Sequence, residues 1–379
     1  MLPLSLYIHI PWCIQKCPYC DFNSHKSPNV LPEMHYVDAL LEDLDCDLQL
    51  LPATTPITSI FIGGGTPSLL SEHAYASLFE GLHQRLTFSD NIEITLEANP
   101  GSVEQTRFRA YRALGINRLS LGIQSFNPKH LKTLGRVHDD QEAHAAITAA
   151  RNAGFDNLNL DLMHGLPQQS IAEGLDDLKT ALTYTPEHLS WYQLTLEPNT
   201  VFYKTRPTLP TDEIIDDLEQ AGFDYLASKH YEKYEISAFS KPNHAAQHNL
   251  NYWRFGDYYG IGAGAHGKLT TADFKSIYRT RKQRQPKDYL NTDKAYLIEK
   301  KVIASQDLIF EFMLNTTRLE AAIPYLLFTQ RTGLAIHLLM PQLKQAADQG
   351  FLALSKTHWQ ITPLGRRFTN DLQQLFLPS

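Results

Sequence analysis

Three of the four cysteines of this 379-residue chain fall within eight residues, at Cys13, Cys17 and Cys20, and the fourth, Cys46, stands alone. A thiolate is a soft metal ligand. Three of them on one short loop, spaced CxxxCxxC, can take three irons of a [4Fe–4S] cube and leave the fourth iron without a protein ligand. An iron left open in this way is useful only if another molecule binds it. A zinc site and plain reduced thiols are the competing readings. Zinc prefers four closed ligands, commonly from two CxxC pairs, and the sequence holds no second pair. Cys46 sits off the apolar face of its expected helix and reads as a bystander. A secreted disulfide scaffold would spread more cysteines along the chain, so the expectation is a reducing cytoplasm.

Other chemistry-bearing residues stand at the ends of apolar runs. Gly63-Gly64-Gly65-Thr66-Pro67 closes one run; without side chains, its backbone amides and carbonyls can approach a ligand closely. Glu97, in Glu97-Ala98-Asn99-Pro100, is a carboxylate suited to a ribose hydroxyl or a cationic amine, or else to a surface or helix cap. Gln124, Arg136 and Asp161 are similar candidates, and a guanidinium such as that of Arg136 can pair with a carboxylate through two hydrogen bonds.

The elements that would position these residues alternate. Strand patterns over Leu4–Ile10, Ile57–Ile62, Asn91–Leu96, Arg118–Ile123, Asn157–Leu162 and His188–Leu194 are separated by helical patterns. Those helices span Pro32–Leu51, Ser71–Leu86, Val103–Leu114, Asp140–Ala153 and Ile171–Leu182, with Gly115 and Gly154 as C′ signals. Six βα units imply an α/β fold with a parallel sheet, open or curled, and an active site at the C-terminal ends of its strands. The spacing does not choose between open and curled. Residues 1–200 form this unit, 201–300 an extension rich in Tyr, Gly, Asn and His, and 301–379 a mostly helical module with a small hairpin, winged-helix-like.

Composition excludes several classes. Charged residues are 20% and hydrophobic ones 43% of the chain, which rules out disorder. A net charge of −7 argues against binding nucleic acid through overall charge. Residues 301–379 hold seven basic and five acidic side chains, a net of +2 and thin for a DNA-binding module. No apolar run is long enough to span a membrane. The short apolar start, interrupted at Pro11, predicts no signal peptide.

The cysteine loop, just after the first strand of a βα array, resembles that of the radical SAM superfamily. The resemblance implies a partial (β/α)6 TIM-like barrel, a [4Fe–4S] cluster on Cys13, Cys17 and Cys20, and S-adenosylmethionine chelated to the open iron. Tyr7-Ile8-His9-Ile10-Pro11, the glycine motif, Gly122-Ile123-Gln124-Ser125-Phe126, Asp161-Leu162-Met163-His164-Gly165-Leu166-Pro167 and the C-terminal module are similar to the oxygen-independent coproporphyrinogen oxidase family. That family's adenosylmethionine contacts carry over to Tyr7, Gly64, Gly65, Thr66, Glu97, Gln124, Arg136 and Asp161, with Tyr19 a further contact.

Two departures separate this chain from the true oxidases. Phe22 stands where they carry a further cysteine, and a first strand beginning near residue 4 predicts no N-terminal extension of the oxidase kind. Both point to the HemW-type heme chaperone branch, as does His248-Asn249-Leu250-Asn251-Tyr252-Trp253, which matches its HNxxYW motif. His248 offers an imidazole for heme iron, and Tyr252 and Trp253 offer flat faces for a macrocycle; the same residues could equally form a core aromatic pair with a hydrogen-bonded histidine. His266, in a glycine-rich stretch from Gly260 to Gly267, is a second axial candidate. The basic run Lys275, Arg279, Arg281, Lys282, Arg284 and Lys287 is usually a solvated face, but could meet heme propionates, an acidic partner or lipid headgroups. The implied function is delivery of heme to an acceptor heme protein, with room for peripheral membrane contact and a homodimer. Coproporphyrinogen dehydrogenation and DNA-binding regulation are the alternatives.

Overall fold

A computed structural model describes residues 2–53 and 55–378. Leu4–Ile10 (β1), Ile57–Gly64 (β2), Phe88–Ala98 (β3), Arg118–Gln124 (β4), Leu158–His164 (β5) and His188–Gln193 (β6) pair in parallel in chain order. Between them run Glu33–Leu50 (α1), Glu72–Arg85 (α2), Ser102–Ala113 (α3), Asp140–Asn152 (α4) and Ile171–Thr183 (α5). Capping boxes at Asp139/Glu142 and Ser170/Glu173 start α4 and α5, each worth about 1 kcal/mol. Gly115 and Gly154, both at positive φ, end α3 and α4 as the sequence predicts.

Later segments widen the sheet to 12 strands. On one side Asp257–Ile261 pairs in parallel with β1 and is followed by three antiparallel strands, the last being Leu297–Val302. On the other, Ala238–Ser240 runs antiparallel to β6. The strand order is linear, so the sheet is a partial barrel, not a closed one.

Period-two alternation explains what lies on each face. Leu6, Ile8 and Ile10 are fully buried toward the helices. Ser5 and Tyr7 meet Ser59 and Phe61 on the concave face, with Ser5 Oγ 2.7 Å from Ser59 Oγ. The concave face is therefore polar. Its N-terminal end is plugged by the helix Gln247–Trp253 (α6). Glu93 on β3 accepts the first backbone N–H groups of that helix, from Gln247 at 2.8 Å and His248 at 3.3 Å.

The C-terminal residues build a separate core around Phe312, Phe328, Leu343 and Trp359. Helices Ser305–Thr316, Tyr325–Thr332 and Met340–Asp348 precede the hairpin Leu352–Leu354/His358–Ile361, and two short helices, Pro363–Arg367 and Thr369–Gln374, follow it. Among the described residues no helix is long and apolar enough to cross a membrane.

One expectation changes here in part. The basic run is divided: Lys282 is fully buried between Asp43 and Asp47 on α1 and Arg279 pairs with Glu311, while Lys275, Arg284 and Lys287 are exposed. The glycine stretch serves the protein's own packing. A Cβ at Gly260 would lie 1.8 Å from the His266 carbonyl oxygen, and one at Gly262 would lie 2.4 Å from that of His9.

Candidate functional site

The cysteine loop leaves β1 at Pro11 and is tied down by its own backbone. His25 N donates to Pro11 O at 2.7 Å and Ser27 N to Cys13 O at 2.8 Å, a two-residue parallel ladder of Trp12–Cys13 with His25–Lys26. The glycine turn locks against it through Gly65 N to Ile10 O and Thr66 N to Trp12 O, both 2.7 Å. Only glycine fits there, because a Cβ on Gly65 would lie 2.5 Å from Trp12 O. The register of the first two strands thus fixes the cysteine loop to the glycine motif.

Cys13, Cys17 and Cys20 are free thiols, each partly exposed. They line the mouth of a cavity of about 460 Å³ together with Tyr19, Gly64, Gly65 and Thr66. Glu97 and Gln124 at the ends of β3 and β4, Asp161 midway along β5, and Arg136 beyond the short helix Pro128–Thr133 complete its wall. Gln124 has φ of +68°, strained for a side chain other than glycine. The strain is held by Asp177 of α5, which accepts Phe126 N and Ser125 Oγ at 2.7 Å each. Tyr192 Oη donates to Gln124 Oε1 at 2.7 Å.

The donor set suits a cluster and a small zwitterion. Among the described residues no three His, Cys, Asp or Glu side chains converge closely enough to hold one metal ion. A cube takes one thiolate at each of three separate corners, so the spread thiols suit it. Arg136 Nη2 donates to Asn99 Oδ1 and Gly122 O at 2.7 Å each, Nη1 lies 3.5 Å from Cys17 Sγ, and buried Nε has no partner. Glu97 Oε2 accepts Gly64 N at 3.2 Å. Burial, then the nearby Asp161, pushes the Glu97 carboxyl up to about 8. Burial also raises the Asp161 carboxyl and the Cys13 and Cys20 thiols.

Four predicted contacts lie off this cavity. Tyr7 stands behind the cavity-lining Phe61, at a ring separation of 6.3 Å, and its hydroxyl meets His9 Nδ1 at 2.9 Å. His9 Nε2 in turn meets Asn23 O of the cysteine loop at 2.9 Å, so Tyr7 braces that loop. His248 is enclosed at the base against Phe61, with Ser59 Oγ 3.3 Å from its Nδ1, and burial lowers its pKa to about 3. Tyr252 packs edge-on to Trp253 and beside Tyr258; Arg318 of the C-terminal module lies 4.3 Å over the Trp253 ring. These three share no opening, since Tyr252 edges a separate surface pocket with Arg279, Glu311 and Asn315, whereas His266 is exposed.

Sequence reasoning missed Asn99, Arg118, Ser120, Asn159, Ser190 and Asn249, which also line the cavity. The signal was present: strands of a covered parallel sheet run apolar, so Arg118 and Ser120, two apart in register with Gly122, mark an inward polar stripe.

A linear sheet of six βα units, with three thiols and a glycine turn over its C-terminal edge, defines a radical SAM protein. Residues 7–181 match the Radical SAM superfamily and residues 303–368 the HemN C-terminal domain. The fold is similar to that of coproporphyrinogen III oxidase (HemN) from Escherichia coli, with a TM-score of 0.82 at 24% identity, over 99% of this chain and 90% of that one. The sequence is 50% identical over 375 residues to the heme chaperone HemW of Escherichia coli K12, covering 99% of this chain and 98% of the relative. It is 33% identical to HemW of Bacillus subtilis, over 98% and 99%. The chain belongs to the HemW family of radical SAM proteins.

Proposed function

We propose that this chain is a heme chaperone that carries a [4Fe–4S] cluster on Cys13, Cys17 and Cys20, holds S-adenosylmethionine in the cavity, and passes heme to a heme-dependent enzyme. The observation that carries the reading is 50% identity to a heme chaperone along 99% of the chain. When bound, the cluster would supply an open iron and an electron for the sulfonium. The chain's own residues do the rest. Gly64 and Gly65 let the backbone approach the methionine moiety, Glu97 takes its ammonium or a ribose hydroxyl, and Arg136 takes its carboxylate. Gln124, Asp161 and Tyr19 orient the nucleoside end. Of the two candidate heme ligands, His266 is open to solvent and His248 is enclosed, which favours His266. Three free thiols support residence in a reducing cytoplasm.

Anaerobic reconstitution with iron and sulfide, followed by heme titration with and without adenosylmethionine, tests this. A heme absorption band is expected, and its absence would overturn the chaperone reading. Phe22, where the oxidases carry a cysteine, argues against porphyrinogen decarboxylation; an anaerobic assay that yields protoporphyrinogen would reverse that choice.

A further inference from the structure

The cavity continues past the residues assigned to adenosylmethionine to a floor formed by Arg118, Asn159, Ser190 and Asn249. Arg118 rises from the first position of β4 and is 1% exposed. A guanidinium keeps its charge at any accessible pH and offers five N–H donors, and a buried charge without a partner is costly. Yet its one hydrogen bond among the described residues is a long one, Nη1 to Thr95 Oγ1 at 3.4 Å, and Nε has no acceptor.

Three carboxyls share the concave face with Arg118, and each is engaged elsewhere. Glu93 accepts the N–H groups of Gln247 and His248, Glu97 accepts that of Gly64, and Asp161 accepts Ser120 Oγ at 2.9 Å and Asn159 Nδ2 at 2.7 Å. None comes within 4.0 Å of the guanidinium as an ion pair among the described residues. Burial raises all three carboxyls, and the Arg118 charge offsets part of that rise in each without a direct ion pair. A buried guanidinium with an unpartnered Nε, and no direct ion pair among the described residues, faces a ligand-sized space.

We propose that the cavity floor is a carboxylate subsite centred on Arg118, distinct from the carboxylate contact assigned to Arg136. A carboxylate would sit in the guanidinium fork, with Asn249 of the HNxxYW helix beside it. The acid is a heme propionate, because the one carboxylate of adenosylmethionine is assigned to Arg136 at the mouth, so the inference rests on the proposed function for its ligand.

The test uses the anaerobically reconstituted full chain and two matched pairs of probes, heme against its dimethyl ester for the floor and adenosylmethionine against its decarboxylated form for the mouth. Wild type is expected to prefer heme over its dimethyl ester by roughly 10- to 100-fold, the value of a charge-assisted hydrogen bond. Arg118→Met should remove that preference while retaining the cluster, and Arg118→Lys should restore part of it, with the adenosylmethionine pair unmoved in both. No preference for heme over its ester in wild type overturns the proposal, as does a preference that survives Arg118→Met. If Arg118→Met does not fold, Arg118→Lys is read in its place, and an undiminished preference there overturns the proposal. If heme fails to bind at all, the chaperone reading falls and the floor assignment with it; if heme binds without preferring the acid, only the floor assignment falls.

Discussion

The two ends of the half-barrel are built from similar residue types and do opposite things. At the mouth, three thiols, Glu97 and Arg136 face open space, and Arg136 Nε is left without a partner. At the base, His248 and Asn251 are buried and Trp253 packs on Tyr252 and Arg318, while Tyr252 edges a separate surface pocket. Asn251 Nδ2 bonds Ser5 Oγ and Asp257 O at 2.9 Å each, and Asn315 of the C-terminal module reaches Tyr252 O at 3.2 Å. The HNxxYW helix thus bolts the barrel to the C-terminal module. Richness in polar and aromatic side chains does not distinguish a site from a joint. What distinguishes them is whether the polar groups open onto a cavity.

The sharpest way to break this comparison is to swap the outcomes of mutation at the two ends. Alanine at Cys13, Cys17 or Cys20 should abolish cluster incorporation, read as iron and sulfide content, while thermal unfolding of the metal-free chain barely moves. At the base, Trp253→Ala should do the reverse. Loss of its ring contacts with Tyr252 and Arg318 should cost about 3 kcal/mol in urea unfolding, with iron content unchanged. A Trp253 variant that keeps its stability and loses only heme binding would show that the base is a site after all.

A smaller effect sharpens the mouth. The Glu97 carboxyl, held up to about 8 by burial, is mostly protonated at pH 7 and ionised at pH 9. If it holds the ammonium of adenosylmethionine, whose own amine loses its proton at about pH 8, affinity should peak near that pH and fall on both sides, and Glu97→Gln should remove the peak. A peak that persists in Glu97→Gln would assign the titration to another group.

The order of strands and helices was legible because each parallel strand is covered and two of the helices end at glycine stop signals, Gly115 and Gly154. The mouth was legible because its residues follow strands directly. The floor was not, since Arg118 and Asn159 lie at strand starts, and only the curl of the sheet brings them below Glu97 and Asp161. The basic run misled in part, for a related reason. Lys282 alternates out of its strand into the core, where Asp43 and Asp47, some 235 residues away in sequence, neutralise it. Charge in one dimension does not reveal pairing across such separations.

The finest test of the comparison is whether His248 titrates as a ligand or as a joint. A histidine open to a ligand would protonate near its ordinary pKa in folded and unfolded chains alike. Burial instead holds the folded value near 3, with Arg118 adding to the shift. Below pH 6.5 the unfolded chain then takes up a proton that the folded chain refuses, so this residue's contribution to stability is lost as the pH falls toward 3. Other groups oppose this trend, since raised carboxyls such as Asp47 and Asp177, each at about 6, favour the folded state on acidification. The clean measurement is therefore a difference. The stability of wild type relative to His248→Gln should drop by about 1 kcal/mol per pH unit below 6.5, from urea unfolding at pH 7.0, 6.0 and 5.0. A difference independent of pH would mean that His248 is solvated in the folded chain, and would return it to the candidates for heme.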